Sequence, residues 1–378
     1  MDLAQNTMLK TAWDLIYLLS CAVGGDTPDP EVCGKMDMDE VFAMARSHNL
    51  VCAASAALEK ITELPGEWRN AKGNQIRRQL IFDSERAKLL SAMEENGIWY
   101  LPLKGIILKD CYPRSYMREM SDNDILFDFG KAKQLRKVML GLGYTCKEFF
   151  HTDHGHDIYT KPPMLNFEMH RSLIYRYPHR RLFEYYRDKT DLRKKDPDNS
   201  FGYHMSLEDF YDYLICHMFK HYSEGGTGLR ALLDIYVFEK KYAGVLSREY
   251  IDAELEKMGL RDFEQQARLL AEKVFDRREL SETETRSLLY YIESGCYGTY
   301  FHRVEGKLEK NGGGKGKCRY ILRRIFPSRD SLQLCHPFVY RHMILYPFVV
   351  IYRPIHGVFK KSGQIKAELH ALKQYGKH

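Results

Sequence analysis

Asp122 and Asp124 stand two residues apart in the stretch MSDNDILF, residues 120–127, directly before three apolar residues. Ile125, Leu126 and Phe127 read as a buried strand, and Asp is a poor strand former. Alternate strand residues share a face, so Asp122 and Asp124 point one way, and Asn123 and Ile125 the other. Two like charges about 6–7 Å apart repel each other unless something positive lies between them. A capped turn rich in Asp and Asn is one reading. A divalent-metal site is the sharper one, and the neighbouring residues favour it.

Lys104-Gly105 follows the apolar run 98–103 and opens a short helical stretch. Glycine there lets backbone N–H groups approach an anion, and the lysine adds a full positive charge. Arg118, four residues before Asp122, suits either a bidentate phosphate contact or neutralisation of the Asp pair. In LNFEMH, residues 165–170, Leu165, Phe167 and Met169 share one strand face, leaving Glu168 on the other with Asn166 and His170. If that strand lies beside 124–127, three carboxylates converge. Mg²⁺ takes oxygen ligands from a few carboxylates plus substrate phosphates, and a pair of ions clamps both oxygens of an in-line displacement. The set reads as metal-assisted phosphoryl chemistry.

The elements that must position these residues follow from apolar spacing. Residues 1–95 look helical, with three- and four-residue periodicity at 9–21, 38–48, 50–61 and 75–95. Asn96-Gly97 closes the last of these helices. Strands are expected at 98–103, 124–127, 144–149, 157–160 and 165–170, with a helix at 130–142 ended by Gly143. After a basic and aromatic connector, 174–200, helices resume at Ser206, which with Asp209 resembles a capping box. They run to about residue 293. Asn311-Gly-Gly-Gly-Lys315 reads as a flexible joint without the frame of a phosphate loop, and a last helix is expected at 365–375. The fold class is α+β, with a helical N-terminal region (1–95), a small mixed-sheet core (96–200) and a helical C-terminal region (201–378).

The chain has 378 residues, 44% of them hydrophobic and 29% charged, with net charge +6. That is long enough to bury a full core. Nine cysteines occur singly, with no C-x-x-C pair. This favours reduced thiols in a cytoplasmic protein over a disulfide framework or zinc ribbon. No apolar run reaches the roughly 18–20 residues of a bilayer span, and no signal peptide is read at the N-terminus. Lys315, Lys317, Arg319, Arg323 and Arg324 cluster, as do Lys360, Lys361, Lys366, Lys373 and Lys377. Such clusters suit nucleic acid or an anionic surface, but a solvated helix face is the favoured reading.

Other constellations carry less. His217 and His221 are i, i+4 on a helix, half of a zinc site, and read better as histidines packing or lining a helical core. Arg230 and Asp234 share that spacing and suit a helical ion pair or support of the active site. His151, His154 and His156 with Asp153 and Asp157 have no established metal frame. The aromatic run 175–186 with Arg176, Arg180 and Arg181 suits base stacking or packing on the next region.

LPLKGIILKDCYPRSYMREMSDNDILF, followed by NFEMHRSL, resembles the uncharacterised bacterial nucleotidyltransferases of the polymerase-β-like superfamily. The likeness continues through HMFKH and LRALLDIYVF, so it covers roughly residues 75–238. It implies a nucleotidyltransferase core flanked by helical regions, with the active site between the core and the helices after it. The implied reaction is Mg²⁺-dependent transfer of a nucleoside monophosphate from an NTP to a hydroxyl acceptor of unread identity, with pyrophosphate leaving. By position, Lys104, Gly105 and Arg118 would hold phosphate, and Arg230 and Asp234 would support the nucleotide. Asp122 and Asp124 would bind one or two Mg²⁺, with Glu168 as third acid and candidate base. The superfamily's usual Gly-Ser is Lys-Gly here, and its Asp-Leu-Leu is Ile-Leu-Phe; neither change removes a carboxylate. A nucleotide-binding regulator without turnover, or a nucleic-acid-binding protein using the basic C-terminal segments, are the rival readings.

Overall fold

The computed structural model describes residues 3–149, 155–176, 178–189, 191–296, 298–309, 316–329, 332–333, 337–352 and 362–374. Four helices come first: α1 (Leu3–Gly24), α2 (Pro30–Cys33), α3 (Met38–Ser47) and α4 (Val51–Leu58), before the 30-residue α5 (Gly66–Glu95). Helix α5 begins about nine residues before its expected start. Its buried stripe, Trp68, Lys72, Gln79, Phe82, Glu85, Leu89 and Met93, keeps helical spacing but includes polar groups that mask the apolar period. Lys72 pairs with Glu59, and Glu85 receives Tyr144 Oη at 3.0 Å and Lys161 Nζ at 2.9 Å. Buried charge is tolerated when it is paired.

The sheet follows in the order β1 (Tyr100–Pro102), β2 (Asn123–Phe127), β5 (Leu165–His170), β4 (His156–Lys161), β3 (Thr145–Glu148). Strand β2 runs antiparallel to β1 and parallel to β5, so the sheet is mixed. Short α6 (Gly105–Leu108) and α7 (Ala132–Gly141) punctuate it. One sheet face carries Ile125, Phe127, Phe167, Met169 and Tyr159 against α5 and α7. The other carries the polar residues and turns toward the later helices.

Helix α8 (Arg180–Asp188) lies within the stretch expected to be a connector. Leu182 is buried, with Tyr185 and Tyr186 packed against the core beside it; the stripe is amphipathic but built largely of tyrosine, so the stretch reads as an aromatic connector. A two-residue hairpin, β6 (Lys194–Lys195) with β7 (Tyr203–His204), precedes α9 (Leu207–Glu224) and α10 (Leu229–Lys241). Ser206 caps α9 by accepting from the Asp209 N–H, and the Asp209 carboxylate accepts from Ser206 Oγ, so the expected capping box is formed only in its N-cap half. Helices α11 (Arg248–Met258), α12 (Arg261–Phe275) and α13 (Glu282–Ser294) complete the main body.

One core joins Leu15, Leu19, Val51 and Leu58 of the first helices to Leu232, Phe238, Leu270 and Leu288 of the later ones. A separate small core is formed by Val304, Leu308, Tyr320, Ala371 and Leu372, from α14 (Tyr300–Glu309), α15 (Gly316–Ile325) and α16 (Ser362–Gln374). There Arg324 of the basic run pairs with Glu368. The glycine joint at 311–315 lies outside the described residues, as do Lys360, Lys361 and Lys377. Seven described cysteines are free thiols. No described helix is long and apolar enough to cross a membrane.

Candidate active site

Register does the first positioning. Asp124 of β2 lies opposite Glu168 of β5, and Leu126 lies opposite His170, which faces His156 of β4. Neighbouring strands lie about 4.8 Å apart, so the polar side chains form one patch on the face away from α5. Asp122 sits just before β2, half-buried, with its Oδ2 accepting from Ser121 Oγ at 3.3 Å. The expected convergence of Asp124 with Glu168 is therefore built by the parallel pairing of β2 with β5.

Lys104 supplies the positive charge that the Asp pair requires. Its Nζ lies 2.7 Å from Asp124 Oδ1, and His170 Nε2 lies 2.7 Å from the same oxygen. Burial pushes the Asp124 carboxyl up, but Lys104 and His170 outweigh it and hold it well below the ordinary range. The ammonium is held above its usual value, because Asp124 overrides the cost of burial. Asp122 and Glu168 go the other way. Burial and the Asp124 charge raise both, and Glu168 is pushed up to about 7. Burial is the larger cause in both, and the nearby Lys104 charge offsets it only in part.

Helix α9 forms the facing wall, and here sequence reading missed residues. Lys220 lies close enough to Lys104, Asp124 and Glu168 to feel each; burial first, then Lys104, bring its pKa down to about 8. Its ammonium sits 4.7 Å from the Tyr175 ring centroid, and Tyr175 and His179 both bond Glu224. His217 and His221 touch through their Nε2 atoms at 3.2 Å; burial and the nearby Lys104 charge push half-buried His217 well below the ordinary imidazole range, while His221 is exposed to solvent. The two histidines line the wall rather than pack a core. Tyr213 Oη is buried beside Lys104, Asp124 and Glu168 with no hydrogen-bond partner among the described residues.

Arg118 and Asp234 land elsewhere than their spacing suggests. Arg118 Nε and Nη2 donate to Asp234 Oδ1 and Oδ2 at 2.8 and 3.0 Å, and Tyr112 Oη donates to Oδ1 at 2.8 Å. Asp234 therefore pairs with Arg118, not with Arg230 one turn before it. Arg230 Nη1 donates to the Glu119 carbonyl at 3.3 Å, and the Arg230 charge reaches Asp122. Gly105 is also explained by Arg118: a Cβ at residue 105 would meet Arg118 Nη1 at 2.4 Å. The left-handed residue at this turn is Lys104, with φ +47°, a conformation rare for non-glycine residues. Helix α6 is a single turn, so its dipole adds little, and the positive charge at this turn is the Lys104 ammonium.

The donor set fits a hard divalent cation. Asp122, Asp124 and Glu168 offer carboxylate oxygens, two of them with raised proton affinity, and the orphaned Tyr213 hydroxyl faces the same space. The tighter cluster is a different one. His156, Glu168 and His170 bring their donor atoms within 4.8 Å of one another, while Asp122 and Asp124 stand outside it. His151, Asp153 and His154 lie outside the described residues.

Comparison with known families matches residues 34–276 to the model described as uncharacterised nucleotidyltransferase. The chain belongs to that family. The match contains every site residue described above and extends well beyond residues 75–238 on both sides. Membership in the uncharacterised nucleotidyltransferases supports nucleotidyl transfer as the general activity and an NTP as substrate. No curated protein and no solved structure matches the chain.

Proposed function

We propose that this nucleotidyltransferase-family protein moves a nucleoside monophosphate from an NTP to a hydroxyl acceptor at the Asp122–Asp124–Glu168 patch, as in the polymerase-β-like superfamily. The observation that carries the reading is the β2–β5 register, which sets Asp124 beside Glu168 with Asp122 at the strand mouth. Mg²⁺ held by these carboxylates would supply charge neutralisation for the triphosphate and the attacking oxygen.

The chain's own groups do the rest. Lys104, tied to Asp124 in the free protein, is placed to turn its ammonium to the triphosphate. Lys220 brings a second ammonium from the opposite wall. Glu168, with its raised proton affinity, is placed to take the acceptor's hydroxyl proton as the oxygen bonds to the α-phosphorus and pyrophosphate leaves. Arg118 and Asp234 hold the scaffold behind Gly105 rather than touch phosphate. Catalysis of this kind rests on positioning and charge.

Calorimetric titration of each of the four NTPs, with and without Mg²⁺, tests the reading on wild type and on Asp122→Asn/Asp124→Asn. Metal-dependent binding that the double variant loses is expected. Folded wild-type protein that binds no nucleotide would sink the proposal.

A further inference from the structure

The same sheet face carries donors that nucleotidyl transfer leaves unused. His156 and His170 face each other in register across β4 and β5, and His156 lies diagonal to Glu168. His156 Nε2 is 3.5 Å and His170 Nε2 3.8 Å from Glu168 Oε2, and the imidazole centroids are 5.0 Å apart. Ligands bound at about 2.1 Å to a tetrahedral zinc stand about 3.4 Å from one another. The two contacts to Glu168 need to close by only a few tenths of an ångström, and all three donor atoms lie within 4.8 Å of one another. All three residues rise from hydrogen-bonded strands, so their backbones are already fixed.

We propose that His156, Glu168 and His170 bind one Zn²⁺, with a fourth position left open. Two imidazoles and one carboxylate are the ligand composition of zinc sites that keep an exchangeable position, whereas imidazole is a poor ligand for magnesium. His170 Nε2 now contacts Asp124 Oδ1 at 2.7 Å, and that contact opens when the nitrogen turns to the metal. The inference stands apart from nucleotidyl transfer except that Glu168 is common to both. Zinc here withdraws the third carboxylate from a magnesium centre, so the two metals compete through one residue.

The test dialyses the full chain against chelator-buffered Zn²⁺ and measures metal per chain, with Co²⁺ as a visible-absorbing probe of ligand geometry. Wild type is expected to take up one Zn²⁺ and to show tetrahedral Co²⁺ bands. His156→Ala and His156→Gln should both lose that uptake, by more than the roughly hundredfold that loss of an outer-shell partner costs. Circular dichroism confirms folding, and the glutamine variant keeps a polar side chain of similar size. Asp122→Asn, outside the trio, should keep the zinc while losing Mg²⁺-dependent NTP binding, which separates the two readings. No zinc uptake by wild type, or uptake that survives both His156 variants, overturns the proposal.

Discussion

Lys104–Asp124 and Arg118–Asp234 are both buried ion pairs with contacts of 2.7–2.8 Å, yet they are built to opposite ends. In the second, two guanidinium nitrogens and the Tyr112 hydroxyl occupy both Asp234 oxygens. That pair is closed. In the first, Lys104 and His170 crowd onto one oxygen of Asp124 while Asp122 and Glu168 stand near with raised proton affinity. That pair is open to exchange its cation for another. Burial alone therefore does not separate the charge proposed to act on substrate from the structural one; the saturation of their partners does.

Removing half of the closed pair should have the largest effect. Arg118→Ala should cost about 3–5 kcal/mol in denaturant unfolding, since it strands the buried Asp234 charge, and Arg118→Met with Asp234→Leu should recover most of it. A cost below about 1 kcal/mol would erase the contrast.

The open pair predicts a pH dependence of intermediate size. Glu168 binds its proton more tightly folded than unfolded, with a folded value of about 7 against an ordinary 4.5. Its contribution is fully present below the unfolded value and is lost as pH rises through the folded one. Metal-free wild type should therefore lose stability between about pH 4.5 and 7, and Glu168→Gln should flatten that part of the Tm profile. An unchanged slope in the variant would assign the effect elsewhere.

Asp122→Asn should give the smallest change and the opposite sign to Arg118→Ala. Relieving a half-buried carboxylate of its Asp124 neighbour should stabilise the metal-free protein at neutral pH by up to about 1 kcal/mol. A lower Tm would show that Asp122 is held by attraction.

Much of the site was legible because it is local. The strand Leu165–His170 was read with its bounds and faces, and the Asp122–Asp124 spacing announced shared charge. Gly97 and Gly143 close helices as expected, both at positive φ. What escaped reading depends on distant partners. Arg118 looked free for phosphate because Asp234 lies 116 residues away. Gly105 looked like an anion cradle because the guanidinium against its Cα comes from the next turn of chain. The His156–Glu168–His170 trio needs the β4–β5 register, which no spacing in sequence reveals. Lys220 did carry a signal: it follows His217 by three residues within HMFKH, on the helix face already suspected of lining the cleft.

The shared core of early and late helices has a consequence during synthesis. Leu15 of α1 packs into the same cluster as Leu270 of α12, and a ribosome adding about 5–20 residues per second needs on the order of ten to fifty seconds to cover that interval. Until then α1 is covered by α3 and α4 alone, and the part of it that faces α12 and α13 has no permanent cover. The nascent chain is therefore expected to depend on holding chaperones, and fragments ending before α12 to aggregate while the full chain does not.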